Sequence, residues 1–374
     1  MRSGSVKKRI LYIVFLLIFT CLAAEVLLRI YNPFATSVTG DKITLHTNTE
    51  ILIKNDVGSN GLDKETVLKR NSLGFRGPEP PADFKDYLTI IAVGGSTTEC
   101  LFIPDEKTWP GLLQQQLQSS FNKVWINNAG LNGHSTYGHL KLMKDYIVKL
   151  QPDYCLFLIG CNDVNRTDLT SSDSTINNES QGVMMKLAKY SRLANVSLNF
   201  YRHYLAGKHE LVNDRNFTLT GKEKRILDSN AIQIQIDRQA VIAKQFRARV
   251  EQLIQISRSN GIEPVLITQP CLLGDTTDDV TGVDMGTIPF NAGNGKLAWM
   301  MLQLYNDETR AVSRETNTIL IDLANELPKS SKYFYDVYHF NNEGCKKVSE
   351  IIYASLKHQV HPTPTPSATA PANH

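Results

Sequence analysis

The chain has 374 residues, which is more than one average domain requires but fits a single large domain with insertions. Its 40 Lys and Arg residues and 37 Asp and Glu residues give a formal net charge of +3, and no basic patch is interleaved with aromatic residues, so there is no reason to expect nucleic acid as a partner. The six cysteines form no CxxC pair and have no regular spacing, so they indicate neither a metal site nor a disulfide framework, and we expect no cofactor.

The first thirty residues form a hydrophobic segment behind a basic start. Residues 7–9 are Lys-Lys-Arg, residues 10–24 are almost entirely apolar, and the segment continues past Glu25 to about the 20 residues that a bilayer requires. Because no clear small-x-small cleavage site precedes Glu25, we favour a retained membrane anchor over residues 1–30 rather than a cleaved signal. In both cases the basic start stays in the cytoplasm, so we expect the rest to be extracytoplasmic, either anchored or, after cleavage, secreted.

Residues 31–87 form a polar lead-in that we predict to be irregular. Within it, residues 71–78 (Asn-Ser-Leu-Gly-Phe-Arg-Gly-Pro) are rich in turn formers, and we interpret them as a linker packed on the edge of the domain. For Arg76 we favour a scaffolding salt bridge over a contact with an anionic substrate group.

From Leu88 onward, apolar strands alternate with amphipathic helices. The strands show no polar alternation, which is typical of strands covered on both faces, so the pattern predicts an α/β fold with a parallel sheet between two layers of helices. We predict strands over 88–93, 123–127, 154–159, 264–268 and 318–322, and helices over 109–117, 139–150, 240–259, 296–316 and 342–356.

Two polar stretches interrupt the alternation, and a third ends the chain. Residues 165–230 are too long for an ordinary loop and include a helical patch over 184–193, so we predict a partly structured insertion. Residues 274–295 are predicted to be a mobile loop. The Pro/Thr-rich tail over 358–374 lacks the apolar content for a core and is predicted to be disordered.

Polar residues follow three of the predicted strands and also precede the last helix. Because the carboxyl ends of parallel strands meet at one edge of the sheet, these residues are expected to converge. A serine nucleophile needs an imidazole base and a carboxylate that orients the base, and Ser96, His339 and Asp336 supply them. The backbone N–H groups of Ser96 and Gly130, with the Asn162 amide, are candidates for an oxyanion hole.

The order Gly-x-Ser, Asn-x-Gly, Gly-x-Asn-Asp and Asp-x-x-His resembles the SGNH (GDSL-type) hydrolase superfamily over about residues 88–356. Ser96, Gly130, Asn162 and His339 fall on its four namesake positions, and Asp336 falls on its triad aspartate. The resemblance implies a flavodoxin-like three-layer sandwich with a five-stranded parallel sheet over residues 88–357. Gly95 replaces the acidic residue of the Gly-Asp-Ser form of the family's motif.

The sequence therefore predicts a serine esterase that cleaves an O-acyl bond through an acyl-enzyme on Ser96, without metal or cofactor. Its substrate would be an acyl ester, such as an acylated glycan or lipid. One alternative is an O-acyltransferase or deacetylase acting on cell-surface glycan. Another, from a different class, is a catalytically inactive envelope scaffold or binding protein of the same fold. We interpret Asp163 as structural, and His134 and His139 as secondary candidates for substrate contact.

Overall fold

The structure is a computed structural model that describes residues 3–31, 38–39, 42–55, 61–166, 183–207, 214 and 216–361. The chain divides into two compact units, one comprising residues 1–46 and 168–210 and the other residues 47–167 and 211–374. The predicted tail lies outside the described residues from position 362 onward, as do residues 167–182, 208–213 and 215 of the predicted insertion.

The strands in chain order are β1 (Val38–Thr39), β2 (Lys42–Ile43), β3 (Thr49–Lys54), β4 (Glu65–Arg70), β5 (Leu88–Gly94), β6 (Val124–Asn128), β7 (Tyr154–Leu158), β8 (Glu263–Ile267), β9 (Pro289–Phe290), β10 (Gly293–Asn294) and β11 (Ile319–Ile321). The helices are α1 (Ser3–Ile30), α2 (Ser96–Glu99), α3 (Trp109–Leu117), α4 (Thr136–Leu142), α5 (Val148–Leu150), α6 (Val183–Tyr190), α7 (Arg192–Gly207), α8 (Ser229–Ser259), α9 (Gly295–Thr316), α10 (Leu323–Glu326) and α11 (Asn342–Leu356).

The larger unit is built on one five-stranded parallel sheet. Its strand order is β11-β8-β7-β5-β6, and β5 lies between β7 and β6, with Ala92 level with Leu156 on one side and Asn128 on the other. All seven residues of β5 are buried. The predicted α/β fold with a five-stranded parallel sheet is therefore confirmed.

Both faces of the sheet are covered by helices. On one face, Leu88, Ile90 and Ala92 belong to a core cluster with Leu113 of α3 and Val348 of α11. The intervening residues of β5 are equally buried on the opposite side, where α8 and α9 pack together through the Phe246 and Tyr305 rings, 5.2 Å apart. Strands buried on two faces need apolar residues at every position, which explains the uninterrupted apolar runs.

Helices α3 and α11 have the predicted bounds and α9 begins one residue earlier, whereas α8 and α4 begin several residues earlier than predicted. Helix α8 begins at Ser229 rather than Ala240, and Asp228 caps it by accepting N–H bonds from Asn230 and Ala231. The isoleucines of its first turns, at positions 232, 234 and 236, alternate along the chain rather than follow one helix face, and the residues there are mostly exposed, so they carry no helical apolar period. Helix α4 begins at Thr136, and a π turn over Met143–Ile147 separates it from α5.

The lead-in contains regular structure that the sequence interpretation missed. Strands β3 and β4 form an antiparallel hairpin, with Thr49 opposite Arg70 and Lys54 opposite Glu65. Within β4, Thr66 and Leu68 are buried while their neighbours are more exposed. This short alternation was the available signal for a half-buried strand.

The smaller unit contains α1, α6 and α7, so the predicted helical patch over 184–193 is two helices that meet at Ser191. The Glu25 carboxylate of α1 accepts hydrogen bonds from the backbone N–H groups of Arg192 and Leu193 and from the Ser191 hydroxyl. Arg29 binds Glu25 and donates to the Tyr190 carbonyl. One acidic side chain of α1 therefore satisfies the free N–H groups at the start of α7.

Candidate active site

Ser96 lies at the carboxyl edge of the sheet, directly after β5 and two glycines. Both glycines are packed too tightly to carry a side chain. A Cβ atom at Gly94 would lie 2.6 Å from the Leu158 carbonyl oxygen, and one at Gly95 would lie 2.3 Å from the Asn162 amide nitrogen. Ser96 then begins the short helix α2 and is 7% exposed. The second glycine therefore lets Asn162 approach the backbone beside Ser96.

Ser96, His339 and Asp336 form a continuous hydrogen-bonded chain. The Ser96 Oγ atom lies 2.7 Å from His339 Nε2, and His339 Nδ1 lies 2.7 and 2.8 Å from the two oxygens of Asp336. Asp336 also accepts backbone N–H bonds from Tyr338, His339 and Asp214. The carboxylate is thus fixed from two parts of the chain, so it can orient the ring and stabilise its charged form.

Asn162 lies in a 3₁₀ turn over Cys161–Asp163, directly after β7. Its amide donates to the His134 carbonyl oxygen at 2.9 Å, and the same nitrogen faces Gly95. A primary amide has two N–H groups, so this bond leaves one for another acceptor. The structure therefore brings Asn162 next to the Ser96 turn, as the sequence predicts.

Gly130, which the sequence interpretation assigns to the oxyanion hole, already has a hydrogen-bond acceptor for its N–H group. Its N–H donates to the Asn128 side-chain oxygen at 2.9 Å, and a Cβ atom there would lie 2.3 Å from the backbone nitrogen of Glu99. Gly130 therefore allows close packing against α2, and its N–H is already used.

Gly133, in the same loop, has a backbone N–H group that the sequence interpretation did not consider. It has φ +73°, a Cβ atom there would meet nothing within 4 Å, and within the described part of the chain its N–H donates to no acceptor. It directly precedes His134, whose carbonyl binds Asn162. The available signal was that this loop contains a second glycine, although a sequence does not show which backbone N–H stays free.

The sequence model of the GDSL-like Lipase/Acylhydrolase family matches residues 92–347, which contain the whole hydrogen-bonded chain. The chain belongs to this family. As a GDSL-like hydrolase it is an enzyme of the SGNH type that acts on ester bonds, which confirms the resemblance predicted from the four motifs.

Solved structures similar to this GDSL-like hydrolase are distant from it in sequence. They include an acetylxylan esterase from Geobacillus stearothermophilus (12% identity, 71% of this chain and 92% of the other, TM-score 0.41). A lipase/acylhydrolase from Enterococcus faecalis has 16% identity, with 74% and 100% of the chains covered and a TM-score of 0.40. A GDSL-like lipase from Parabacteroides merdae has 13% identity, with 74% and 98% covered and a TM-score of 0.42. No curated protein matches the sequence.

The lead-in of this GDSL-like hydrolase supports the helix that carries Ser96. The Arg76 guanidinium is buried and donates to the carbonyl oxygens of Glu99, Cys100 and Ile103, at the end of that helix and just after it, while Asp105 neutralises it at 2.7 Å. Burial raises the pKa of Asp105, and Arg76 partly offsets that rise. Arg76 is therefore a scaffolding residue, as predicted, whereas residues 71–78 are integral to the domain rather than a linker.

A buried polar network lies beneath the Asn162 turn. Asp163 accepts hydrogen bonds from the backbone N–H and hydroxyl of Thr136 and from Arg249, whose guanidinium stacks on Tyr137. Asp163 is therefore structural, as predicted. His134 and His139 are both buried, with ring centroids 6.5 Å apart, and His134 contributes its carbonyl to Asn162.

Cys161 and Cys271 lie close to the site without being reactive thiolates. Burial raises the pKa of Cys161 to about 12 and also raises that of Cys271, so both remain neutral near pH 7. Neutral thiols are poor nucleophiles and poor metal ligands. Among the described residues, no group of three or more His, Cys, Asp or Glu residues is arranged to hold a metal ion.

Proposed function

We propose that this GDSL-like hydrolase is a serine esterase that works through an acyl-enzyme on Ser96. The observation that carries the proposal is the hydrogen-bonded chain from Ser96 Oγ through His339 to Asp336, with distances of 2.7 to 2.8 Å. A serine hydroxyl needs an adjacent base to act as a nucleophile, and this geometry supplies the base together with its orienting carboxylate.

In the first half of the reaction, His339 Nε2 takes the Ser96 proton as Oγ bonds to the ester carbonyl carbon. The negative charge on the carbonyl oxygen would be stabilised by the Ser96 N–H, the free N–H of the Asn162 amide and the Gly133 N–H, which replaces Gly130 in our assignment. The imidazolium then donates its proton to the departing alkoxide, so an alcohol leaves and the acyl group stays on Ser96. Each oxyanion donor is worth about 3 kcal/mol of activation free energy.

In the second half, water loses a proton to His339 and attacks the acyl carbon. The carboxylic acid leaves, and the proton returns to Ser96. We therefore expect an equal yield of acid and alcohol from an acyl ester, and no change in that yield when a free sugar is added as a competing acceptor. Acylated sugar as the main product would instead support the transferase alternative.

The test uses hydrolysis of p-nitrophenyl acetate by wild type and two variants. We expect Ser96→Ala and His339→Ala each to lower kcat/KM by at least about 10⁴-fold, because the triad works as a unit. Ser119→Ala, which changes an exposed serine two residues beyond the end of α3, is the matched control and should retain activity. Equal turnover by wild type and Ser96→Ala would refute the proposal.

We also propose that α1 anchors the enzyme with its catalytic unit outside the cytoplasm. Residues Lys7–Ile30 form a helix long and apolar enough to span a membrane, and its apolar side chains are exposed. The basic residues at its start favour a cytoplasmic N-terminus. Carbonate-resistant membrane association that is lost on deleting residues 1–30 is the expected result; a mature form beginning near Glu25 would indicate a cleaved signal instead.

A further inference from the structure

Two buried cysteines, 245 positions apart in the chain, face each other behind the catalytic residues. The Sγ atoms of Cys100 and Cys345 lie 3.7 Å apart, and both side chains belong to the apolar core cluster. Cys100 directly follows the helix that begins with Ser96, and Cys345 lies in the first turn of α11, which begins three residues after His339. The pair therefore connects the segment that carries the nucleophile to the segment that carries the base.

The backbone at Cys100 adopts a conformation that favours glycine. Its φ and ψ are +52° and +53°, in the left-handed region that L-residues with a Cβ atom rarely adopt. Arg76 donates to the Cys100 carbonyl at 2.8 Å and holds this conformation, so the side chain is presented to Cys345 from a fixed backbone.

We propose that Cys100 and Cys345 form a disulfide bond in the exported protein. In the reaction, the two thiols lose two protons and two electrons and form one S–S bond. The oxidant is a low-molecular-weight disulfide, such as oxidised glutathione, which reacts by thiol–disulfide exchange. It takes up the two electrons and two protons as its own S–S bond breaks to give two thiols. The proposal rests on the extracytoplasmic location given under Proposed function, because disulfides persist in oxidising compartments. It does not depend on the chemistry of Ser96.

The bond forms during folding rather than afterwards. Burial, together with the neighbouring Cys100 sulfur, raises the pKa of the Cys345 thiol, so the reactive thiolate is scarce in the folded state. Once formed, the bond closes a very long loop and restricts the unfolded chain. Its main effect is therefore on stability and on keeping the two catalytic segments together, not on the rate of the chemical step.

The direct test counts thiols in the full-length chain. The protein is expressed with export, extracted in mild detergent without reductant, denatured and treated with N-ethylmaleimide; a second sample is refolded with oxidised glutathione first. We expect four of the six cysteines to be modified, six after reduction, and one cross-linked peptide pair containing Cys100 and Cys345. Six modified cysteines in the glutathione-refolded sample, or a bridge between other cysteines, would overturn the proposal.

Thermal unfolding provides a second readout, in which the effect of reductant on Tm is compared among wild type and two cysteine variants. Reductant should lower the wild-type Tm by on the order of 5 °C or more, should have no effect on Cys100→Gly, and should act on the control Cys155→Ala as on wild type. An equal response in wild type and Cys100→Gly would contradict the bridge. Labelling of Ser96 by a fluorophosphonate on the same samples reports the proposed catalytic function independently, so failure of either proposal is recognised separately.

Discussion

At the scale of single residues, the site depends on which N–H groups are not already donated to an acceptor within the protein. Asn162 uses one amide N–H on the His134 carbonyl and keeps the other, whereas Gly130 has only one N–H and gives it to Asn128. The types Ser, Asn, Asp and His and their order were enough to select Ser96, His339 and Asp336, which lie within hydrogen-bond distance of one another, and their catalytic roles stay a prediction. Sequence alone could not choose between the glycines of the loop, because the partner of a backbone N–H depends on the loop conformation, which the spacing of residues does not encode.

Asn162→Ala tests the oxyanion assignment at this scale. Because the amide stabilises charge that develops only in the transition state, we expect kcat to fall about 10²- to 10³-fold while KM changes little. Steady-state kinetics on p-nitrophenyl acetate provide the measurement. A rise in KM at unchanged kcat would show instead that Asn162 contacts the substrate equally in the ground state.

At the scale of elements, the helix that carries Ser96 is held from outside the predicted catalytic domain. Arg76 satisfies three carbonyl oxygens at and beyond the end of that helix, and the Asn128 carbonyl of β6 binds the Arg76 backbone N–H at 3.0 Å. The lead-in looked irregular in sequence because its only apolar alternation, in β4, is six residues long. Its role in supporting the nucleophile depends on contacts between distant residues, which a single sequence does not reveal.

Arg76→Ala is expected to destabilise the protein by about 3 to 5 kcal/mol, since it leaves Asp105 and three carbonyls without their buried partner. Arg76→Lys should recover little, because an ammonium group cannot reproduce the planar set of donors. Urea unfolding provides the measurement. Lys123→Ala, which breaks an exposed pair with Asp86, is the matched control and should change the unfolding free energy very little; an equal loss in both variants would contradict the role given to Arg76.

At the scale of the whole molecule, the apolar strands and amphipathic helices made the α/β architecture predictable, because a sheet covered on both faces requires uninterrupted apolar runs. The first turns of α8 and the Cys100–Cys345 contact were not predictable, because the isoleucines of the former do not follow a helical period and the two cysteines lie too far apart in sequence. The division into two units also follows from contacts of residues 168–210 with the N-terminal segment rather than from composition.

Stability of the larger unit should decrease in acid partly through Asp322, at the end of β11. Burial alone raises the pKa of this carboxyl, but hydrogen bonds from Arg310 and Thr268 make its net shift downward. A lowered folded-state pKa means that the stabilisation is complete above the unfolded pKa of about 4 and is lost as the pH falls through the folded value.

Asp322→Asn should therefore reduce the unfolding free energy by about 1 kcal/mol at pH 7, a value limited by the partial exposure of the pair. The difference from wild type should shrink as the pH is lowered from 5 toward 2. Urea unfolding of both proteins across this range is the measurement, and a difference that grows in acid would show that the sign is wrong.

The most direct test of the central claim is covalent trapping of the nucleophile. Wild-type protein is incubated with a fluorophosphonate and digested, and the modified residue is located by mass spectrometry. The account predicts a single phosphonyl group on Ser96, no labelling of Ser96→Ala, and strongly reduced labelling of His339→Ala, because the base that activates the hydroxyl is gone. An unlabelled wild type, or labelling that persists in Ser96→Ala, would contradict the assignment of Ser96 as the catalytic serine.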